Sequence, residues 1–412
     1  MAPACEPLPV QLGAPSTADP HARYARLREA GPVHPARLPD GTVCWLVTRY
    51  EEAREALAHP CLSTDPAHVS PEHEHEHPPW EHGAPQALLA EAAGRHMLHS
   101  DPPAHNRLRK LVNRAFDPPR PALWRRDVVR IVDGVLVRLA SHDEPELLSG
   151  FALPVALAVI SEVLGVPHAL RARLEESAKA LVTVGGRPAT PDAARAAAGE
   201  VVRLMTGLFR EKRAAPADDL LSYLASGTDE EGGPLDEGDL VATACLLLFT
   251  GYETVAYALC NSVINLLVRP DQLAAARASP ALLASAIDEL LRFEGPGDSA
   301  ALRYTTASVR LGDVDIPRGE CVLVSIQSAN RDRCRFAEPE RLDISREPGD
   351  HLAFGHGIHH CVGAPLARIE IEVALHRLLT RFPALRLSVD ATALEWHHLM
   401  PLRSAHSLPV LL

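Results

Sequence analysis

Apolar side chains recur along most of this chain at helical spacing. They return every three to four residues over 21–29, 50–58, 103–116, 123–139, 152–164, 168–182, 191–212, 236–268, 280–293 and 365–382, the period of helices with one buried face. Strand-like runs are fewer: TVCWLVT near the start, then SVRLGDVDIP, ECVLVSIQ, ALRLSV and SLPVLL. The pattern predicts a mainly α protein with a small β portion gathered mainly in the last third. One helix stands apart. Residues 240–268 are apolar over a length that would span a bilayer, yet Thr250, Tyr252, Glu253, Thr254, Asn261 and Asn265 interrupt the run and no positive flanking bias accompanies it. It is expected to be a central core helix.

Composition sharpens this picture. The chain has 412 residues, 46% hydrophobic and 23% charged, enough to bury a large core, and no Gly/Ser-rich linker divides it, so one domain over 1–412 is expected. The net charge of −12 disfavours nucleic acid and anionic membrane as partners. Eight cysteines without a C-x-x-C pair argue against a disulfide framework or a zinc finger. The first residues lack a basic stretch followed by an apolar one, so no signal peptide or membrane anchor is expected and the location is read as cytoplasmic.

A carboxylate inside an apolar helix is costly unless hydrated or bonded, so Glu253 beside Thr254 needs a reason. The plain reading is a satisfied polar pair. The sharper one notes Gly251, which admits close approach to the backbone, and Thr254, whose hydroxyl can bond the Thr250 carbonyl and loosen the helix. Such a groove would hold a small ligand and relay protons to it. Two long connections, 60–96 and 183–190, are read as lids or binding segments. In the first, His73, His75 and His77 would share one face of an extended strand, but flanking prolines and alternating glutamates favour a solvated loop over a metal site.

The densest chemistry lies at 351–368, HLAFGHGIHHCVGAPLAR. Adjacent His359, His360 and Cys361 do not easily converge on a tetrahedral zinc. Gly355, Gly357 and Gly363 permit turns with backbone N–H groups pointed inward, and a helix begun near Gly363, with Pro365 in its first turn, adds a positive dipole end. Both effects favour a thiolate at Cys361, shielded on one side by Phe354.

The spacing F-x-x-G-x-H-x-C-x-G, here Phe354, Gly357, His359, Cys361 and Gly363, resembles the haem-ligand loop of the cytochrome P-450 family of haem-thiolate monooxygenases. E-x-x-R at Glu289 and Arg292, the pair Glu253–Thr254, DPPAHNRLRKLVNRAF at 101–116 and ANRDRCRFAEPERLD at 329–343 extend the resemblance over nearly the whole chain. In wording it is most similar to the soluble bacterial branch of actinomycete natural-product pathways. The resemblance implies a cytochrome P-450 fold: a single triangular domain of helices and small sheets, with haem b between the long central helix and the Cys-loop helix. It implies Cys361 as axial ligand and metal-binding residue, and His105, Arg109, Arg303 and His359 as partners of the haem propionates. Phe354, Gly355, Gly363 and Gly251 would border the cofactor, Thr254 would steady dioxygen and Glu253 would connect it to solvent protons. Glu289 and Arg292 would form a structural cluster completed by Arg341, while Thr250 stands where the family usually has a small residue.

The implied reaction inserts one atom of dioxygen into a bulky apolar small molecule, such as a polyketide or macrolide, by hydroxylation or epoxidation. The same oxidant can also couple phenols, close rings or desaturate. A haem-free relative that only activates a partner enzyme loses the cysteine loop or the acid–alcohol pair, and this sequence keeps both; a haem sensor would not need that pair. Without flavin, nicotinamide or iron–sulfur signatures, electrons are expected from a separate ferredoxin and ferredoxin reductase. Arg107, Lys110, Arg114, Arg331, Arg333 and Arg335 are docking candidates for the ferredoxin. The substrate pocket is expected from 60–96, 181–187, Phe249, Thr250, 300–302 and 399–402.

Overall fold

The computed structural model of the chain describes residues 9–12, 20–38, 41–68, 96–116, 120–181, 190–227, 235–347, 349–396 and 401–412. Its helices are α1 (His21–Ala30), α2 (Tyr50–Ala58), α3 (Ala104–Phe116), α4 (Arg120–Leu139), α5 (Leu153–Leu164), α6 (His168–Leu181), α7 (Pro191–Ala214), α8 (Leu220–Ala225), α9 (Glu237–Leu267), α10 (Pro270–Ala278), α11 (Pro280–Glu294), α12 (Ile326–Ala329) and α13 (Ala364–Arg381). Local chemistry sets their ends. α5 stops at Gly165, whose φ of +79° is the left-handed cap that a β-carbon resists. α10 and α11 open on a proline, and the Ser279 hydroxyl accepts the Leu282 amide at 3.2 Å to cap α11.

α9 is the axis of the molecule. The Asp236 carboxylate caps it by accepting the Asp239 amide at 3.0 Å, and Glu237 and Asp239 in the first turn suit the positive dipole end. Its 31 residues rise about 46 Å. Between Leu240 and Leu266 every residue is buried except Thr250, Gly251 and Thr254. Among the described residues it is the helix long and apolar enough to cross a bilayer, and its apolar stretch is mostly inside the protein, as expected of a core helix. α5 lies along it, and α13 packs against α4, α9 and α11.

The largest sheet has the order β1-β2-β3-β8-β5-β4, built from β1 (Val10–Gln11), β2 (Val33–Arg37), β3 (Val43–Val47), β4 (Leu62–Ser63), β5 (Arg303–Thr305) and β8 (Cys321–Val324). β3 runs parallel to β8 with Trp45 opposite Val322, and Arg303 of β5 faces Val322 from the other side. β6 (Val309–Leu311) and β7 (Val314–Ile316) form a hairpin turning at Gly312, and β9 (Arg386–Leu387) pairs with β10 (Val410–Leu411). Four of the six strands of the main sheet come from the first 63 residues, while β5 to β10, six of the ten described strands, lie beyond residue 300, as expected of a β portion mainly in the last third. The helices α8, α10 and α12 were not expected from the periodicity, α12 taking the end of the strand-like run ECVLVSIQ; most predicted helices appear within a few residues of their expected limits.

Candidate active site

The loop before α13 is held by its own backbone. The Cys361 amide donates to the Phe354 carbonyl at 2.8 Å, the Gly355 amide to Leu352 at 2.8 Å and the His360 amide to Gly357 at 3.1 Å. Gly355 and Gly357 have φ of +72° and +75°, conformations that side chains resist. Gly357 is also needed for space: a β-carbon there would lie 2.8 Å from the Leu57 carbonyl at the end of α2. α13 starts at Gly363 with no side-chain cap, so the amides of Gly363 and Ala364 remain to serve the Cys361 sulfur. The Phe354 ring has the Arg368 guanidinium 4.5 Å from its centroid and the His360 ring at 6.5 Å.

Cys361 has exposed surface, yet burial pushes its thiol up from its ordinary value. The Gly363 and Ala364 amides and the Arg109 and Arg368 cations oppose that push without cancelling it. The Gly363 and Ala364 amides thus favour an anionic sulfur, as expected of the loop and the helix start, against the opposing effect of burial.

Four expected cation or donor groups do come together. His105 is buried on α3, and its ring lies edge-on to that of His359 with centroids 4.5 Å apart. The His359 Nε2 is 3.2 Å from the Thr64 hydroxyl. Arg109, one turn beyond His105, reaches the Ile358 carbonyl of the loop at 3.4 Å and the Asn113 side chain at 3.0 Å. Arg303 is buried at the start of β5 and donates to the Ala301 carbonyl at 2.9 Å. Burial pulls the Arg303 guanidinium down to about 10, and burial together with His105, Arg303 and Arg109 pulls His359 down to about 3. Among the described residues no carboxylate lies within ion-pair distance of Arg303 or Arg109, and the His105 Nε2 is buried without a partner. A buried cation without an ion pair is costly; Arg303 has only the more distant Asp101 as described counter-charge and His105 keeps an unpartnered nitrogen, so this cluster fits a ligand that brings carboxylates of its own. The propionates of haem b are such groups, and Cys361 offers the sulfur that iron takes.

Midway along α9, Thr250, Gly251 and Thr254 form the one opening in its buried length, on a single face by their spacing. Thr250 donates to the Leu246 carbonyl at 2.8 Å and Thr254 to the Thr250 carbonyl, the back-bonding expected from the sequence, but the helix runs through unbroken. Glu253 is buried and accepts a hydrogen bond from the Tyr257 hydroxyl at 2.9 Å. Burial pushes its carboxyl up to about 7, against the lowering effect of that bond. The group that approaches Gly251 closely is Ile160 of α5: a β-carbon would lie 2.9 Å from Ile160 Cδ1. Helix packing thus accounts for this glycine on the α5 side.

Other expectations fare unevenly. Glu289 and Arg292 form a buried bidentate pair at 2.7 and 3.0 Å, with Arg292 also donating to the carbonyls of Asn330 and Pro339. Its third member is Arg346, whose Nε is 3.1 Å from Glu289, and not Arg341, which contributes its carbonyl while its side chain turns to Glu338. Arg331 is buried against Glu294, Glu340 and the Phe293 carbonyl, so it is not available for docking. Of the expected pocket, Phe249 and Leu302 are buried, while Thr250, Ala300, Ala301 and Leu402 are partly exposed. His73, His75 and His77, with residues 69–95, 182–189 and 397–400, lie outside the described residues. Sequence reasoning missed Thr64, Arg346, Tyr257 and the Arg368 contact with Phe354.

A cysteine loop opening a helix, a cluster of His and Arg side chains without ion pairs at Arg109 and Arg303 among the described residues, and an opened central helix fit a haem-thiolate protein. The cytochrome P450 family model matches residues 194–392. The cytochrome P450 monooxygenase PikC of Streptomyces venezuelae is 42% identical over 402 residues, covering 97% of this chain and 92% of that protein. The 6-deoxyerythronolide B hydroxylase of Saccharopolyspora erythraea is 38% identical over 387 residues, covering 94% of each. The tirandamycin C-bound P450 monooxygenase TamI superposes with a TM-score of 0.86 at 40% identity, over 98% of this chain and 99% of that one. The chain belongs to the cytochrome P450 family; it binds haem b and is an oxidoreductase of the monooxygenase type.

Proposed function

We propose that this enzyme hydroxylates or epoxidises a bulky apolar natural product of the polyketide or macrolide class, as one cytoplasmic domain fed by a separate ferredoxin and its reductase. The relatives named for 6-deoxyerythronolide B and tirandamycin C support the substrate class, as do the small and aliphatic side chains Ala300, Ala301 and Leu402 among the partly exposed residues. When bound, the haem supplies the oxidising chemistry that activates dioxygen. Cys361 would hold its iron, Phe354 with Gly355 and Gly363 would border the sulfur, Arg109 and Arg303 would pair with its propionates, and His105 and His359 would donate hydrogen bonds to them. The opening at Thr250 and Thr254 admits dioxygen beside the cofactor. The Thr254 hydroxyl, on leaving the Thr250 carbonyl, would donate a hydrogen bond there, and the buried Glu253 carboxyl would pass protons to it from solvent.

The observation that carries this reading is the placing of Cys361, set among inward amides, near four cationic or donor groups, of which Arg109 and Arg303 form no ion pair among the described residues and His105 keeps a buried unpartnered nitrogen. It is tested on Cys361→Ser. The purified wild-type protein should carry porphyrin and show the red-shifted absorption of thiolate ligation when reduced and treated with carbon monoxide. The variant should lose that band and its turnover; an unchanged spectrum would refute the assignment. Candidate macrolides screened for binding-induced spectral shifts would then identify the substrate.

A further inference from the structure

The acid and the alcohol of α9 are bonded in opposite directions along the helix. Thr254 donates one turn back, to the Thr250 carbonyl, whereas Glu253 is held one turn forward by the Tyr257 hydroxyl at 2.9 Å. Among the described residues no hydrogen bond joins Glu253 to Thr254. Both Glu253 and Tyr257 are buried, so water competes little for either group.

Beyond Tyr257 the same four-residue spacing continues in polar side chains through a helix that is otherwise apolar: Asn261, Asn265 and Arg269. The Asn265 amide donates to the Asn261 carbonyl at 2.8 Å, and Arg269 donates to the Asn265 side chain at 2.8 Å. The Asn261 amide donates to the Arg403 carbonyl at 3.0 Å, while its own side-chain oxygen is buried without a partner. Asn265 and Arg269 border an open cleft of about 510 Å³ shared with Phe293 and Trp396. Polar side chains at this spacing thus run about 24 Å by helix rise from Glu253 to the cleft at Asn265 and Arg269.

We propose that Tyr257 is a positioning residue for the relay carboxyl: its phenol holds Glu253 toward this polar side of α9 and away from Thr254, so that the carboxyl turns to Thr254 only on leaving Tyr257. The inference rests on the reading of Glu253 as proton relay. The competing account is that Tyr257 merely satisfies a buried carboxyl as part of the core.

The two accounts part in a double-mutant cycle on the holoenzyme. Wild type, Tyr257→Phe, Glu253→Gln and the double variant would be driven by a surrogate ferredoxin and reductase, with NADPH consumption followed in H2O and D2O. Tyr257→Phe should change the solvent isotope effect about twofold or more where Glu253 is present, and leave it within about 1.2-fold in the E253Q background. Infrared spectra of the same proteins give a readout independent of turnover: a carboxyl band absent from Glu253→Gln should shift in Tyr257→Phe. Wild-type isotope effect and carboxyl band in Tyr257→Phe would overturn the proposal alone, as would equal effects in both backgrounds. A wild-type isotope effect in Glu253→Gln would overturn the relay reading, and this proposal with it.

Discussion

At the scale of single residues, Glu253 has the clearest thermodynamic signature. Burial raises its carboxyl from the ordinary value of 4.5 to about 7, so the folded protein prefers the protonated form more than the unfolded chain does. Below pH 4.5 both states hold the proton and the group has no effect; as pH rises, the unfolded chain ionises first and stability falls until the folded carboxyl also ionises near 7. A shift of this size corresponds to about 3 kcal/mol, reduced by however much the site relaxes or hydrates on ionisation. Glu253→Gln should therefore be less pH-sensitive than wild type. Denaturant titrations between acid and neutral pH should show the stability difference moving by about 1–3 kcal/mol in favour of the variant as pH rises. A constant difference would mean that the carboxyl is not desolvated as the structure indicates.

At the scale of elements, the contact between α5 and α9 is set by one missing methyl group. Ala at Gly251 would gain about 1 kcal/mol of helix propensity, but its β-carbon would meet Ile160 Cδ1 at 2.9 Å and Cγ1 at 3.0 Å, and overpacking of this kind costs about 1–3 kcal/mol. Gly251→Ala should lose about 1 kcal/mol net, and adding Ile160→Val, which removes Cδ1, should make the pair about 1 kcal/mol more stable than the sum of the single changes. Additive single and double variants in thermal or denaturant melts would contradict the contact. Elements of this kind were legible in the sequence to the extent that they carry their own pattern. α9 and α13 do, through long apolar runs and, for α13, the cysteine loop at its start. β2 does not, because Pro35 demotes a strand by composition although it pairs with Trp45. β1 and β4 are two residues each, too short to show alternation, and exist because a neighbour pairs with them. The site divides in the same way. Cys361 follows from its local loop and the cation set from the resemblance to the family's motifs, whereas Thr64 meets His359 from 295 residues away and Arg346 replaces Arg341 through the path of the backbone. No one-dimensional pattern records either contact.

At the scale of the whole molecule, charge is distributed against its own sum. The chain carries a net charge of −12, yet α3 presents exposed Arg107, Lys110 and Arg114 at i, i+3 and i+7, without an ion pair among the described residues. The same helix sends Arg109 inward to the Ile358 carbonyl, three residues before Cys361, so this basic face borders the loop through which electrons would reach the cofactor. The basic residues after α12 offer less: Arg331 is buried, Arg335 pairs with Asp350 at 3.2 Å and Arg333 lies 3.9 Å from Glu29. If an acidic ferredoxin docks on α3 as proposed, the attraction is long-ranged and screened over about 8 Å at physiological salt. Electron transfer should then slow as salt is raised. Replacing Arg107, Lys110 and Arg114 with glutamate should slow it about tenfold or more at low salt and flatten or invert the salt dependence, while Arg333→Glu changes it by less than about twofold. Stopped-flow reduction of the haem protein by the ferredoxin reads both effects, and rates indifferent to salt and to charge reversal on α3 would place the docking surface elsewhere.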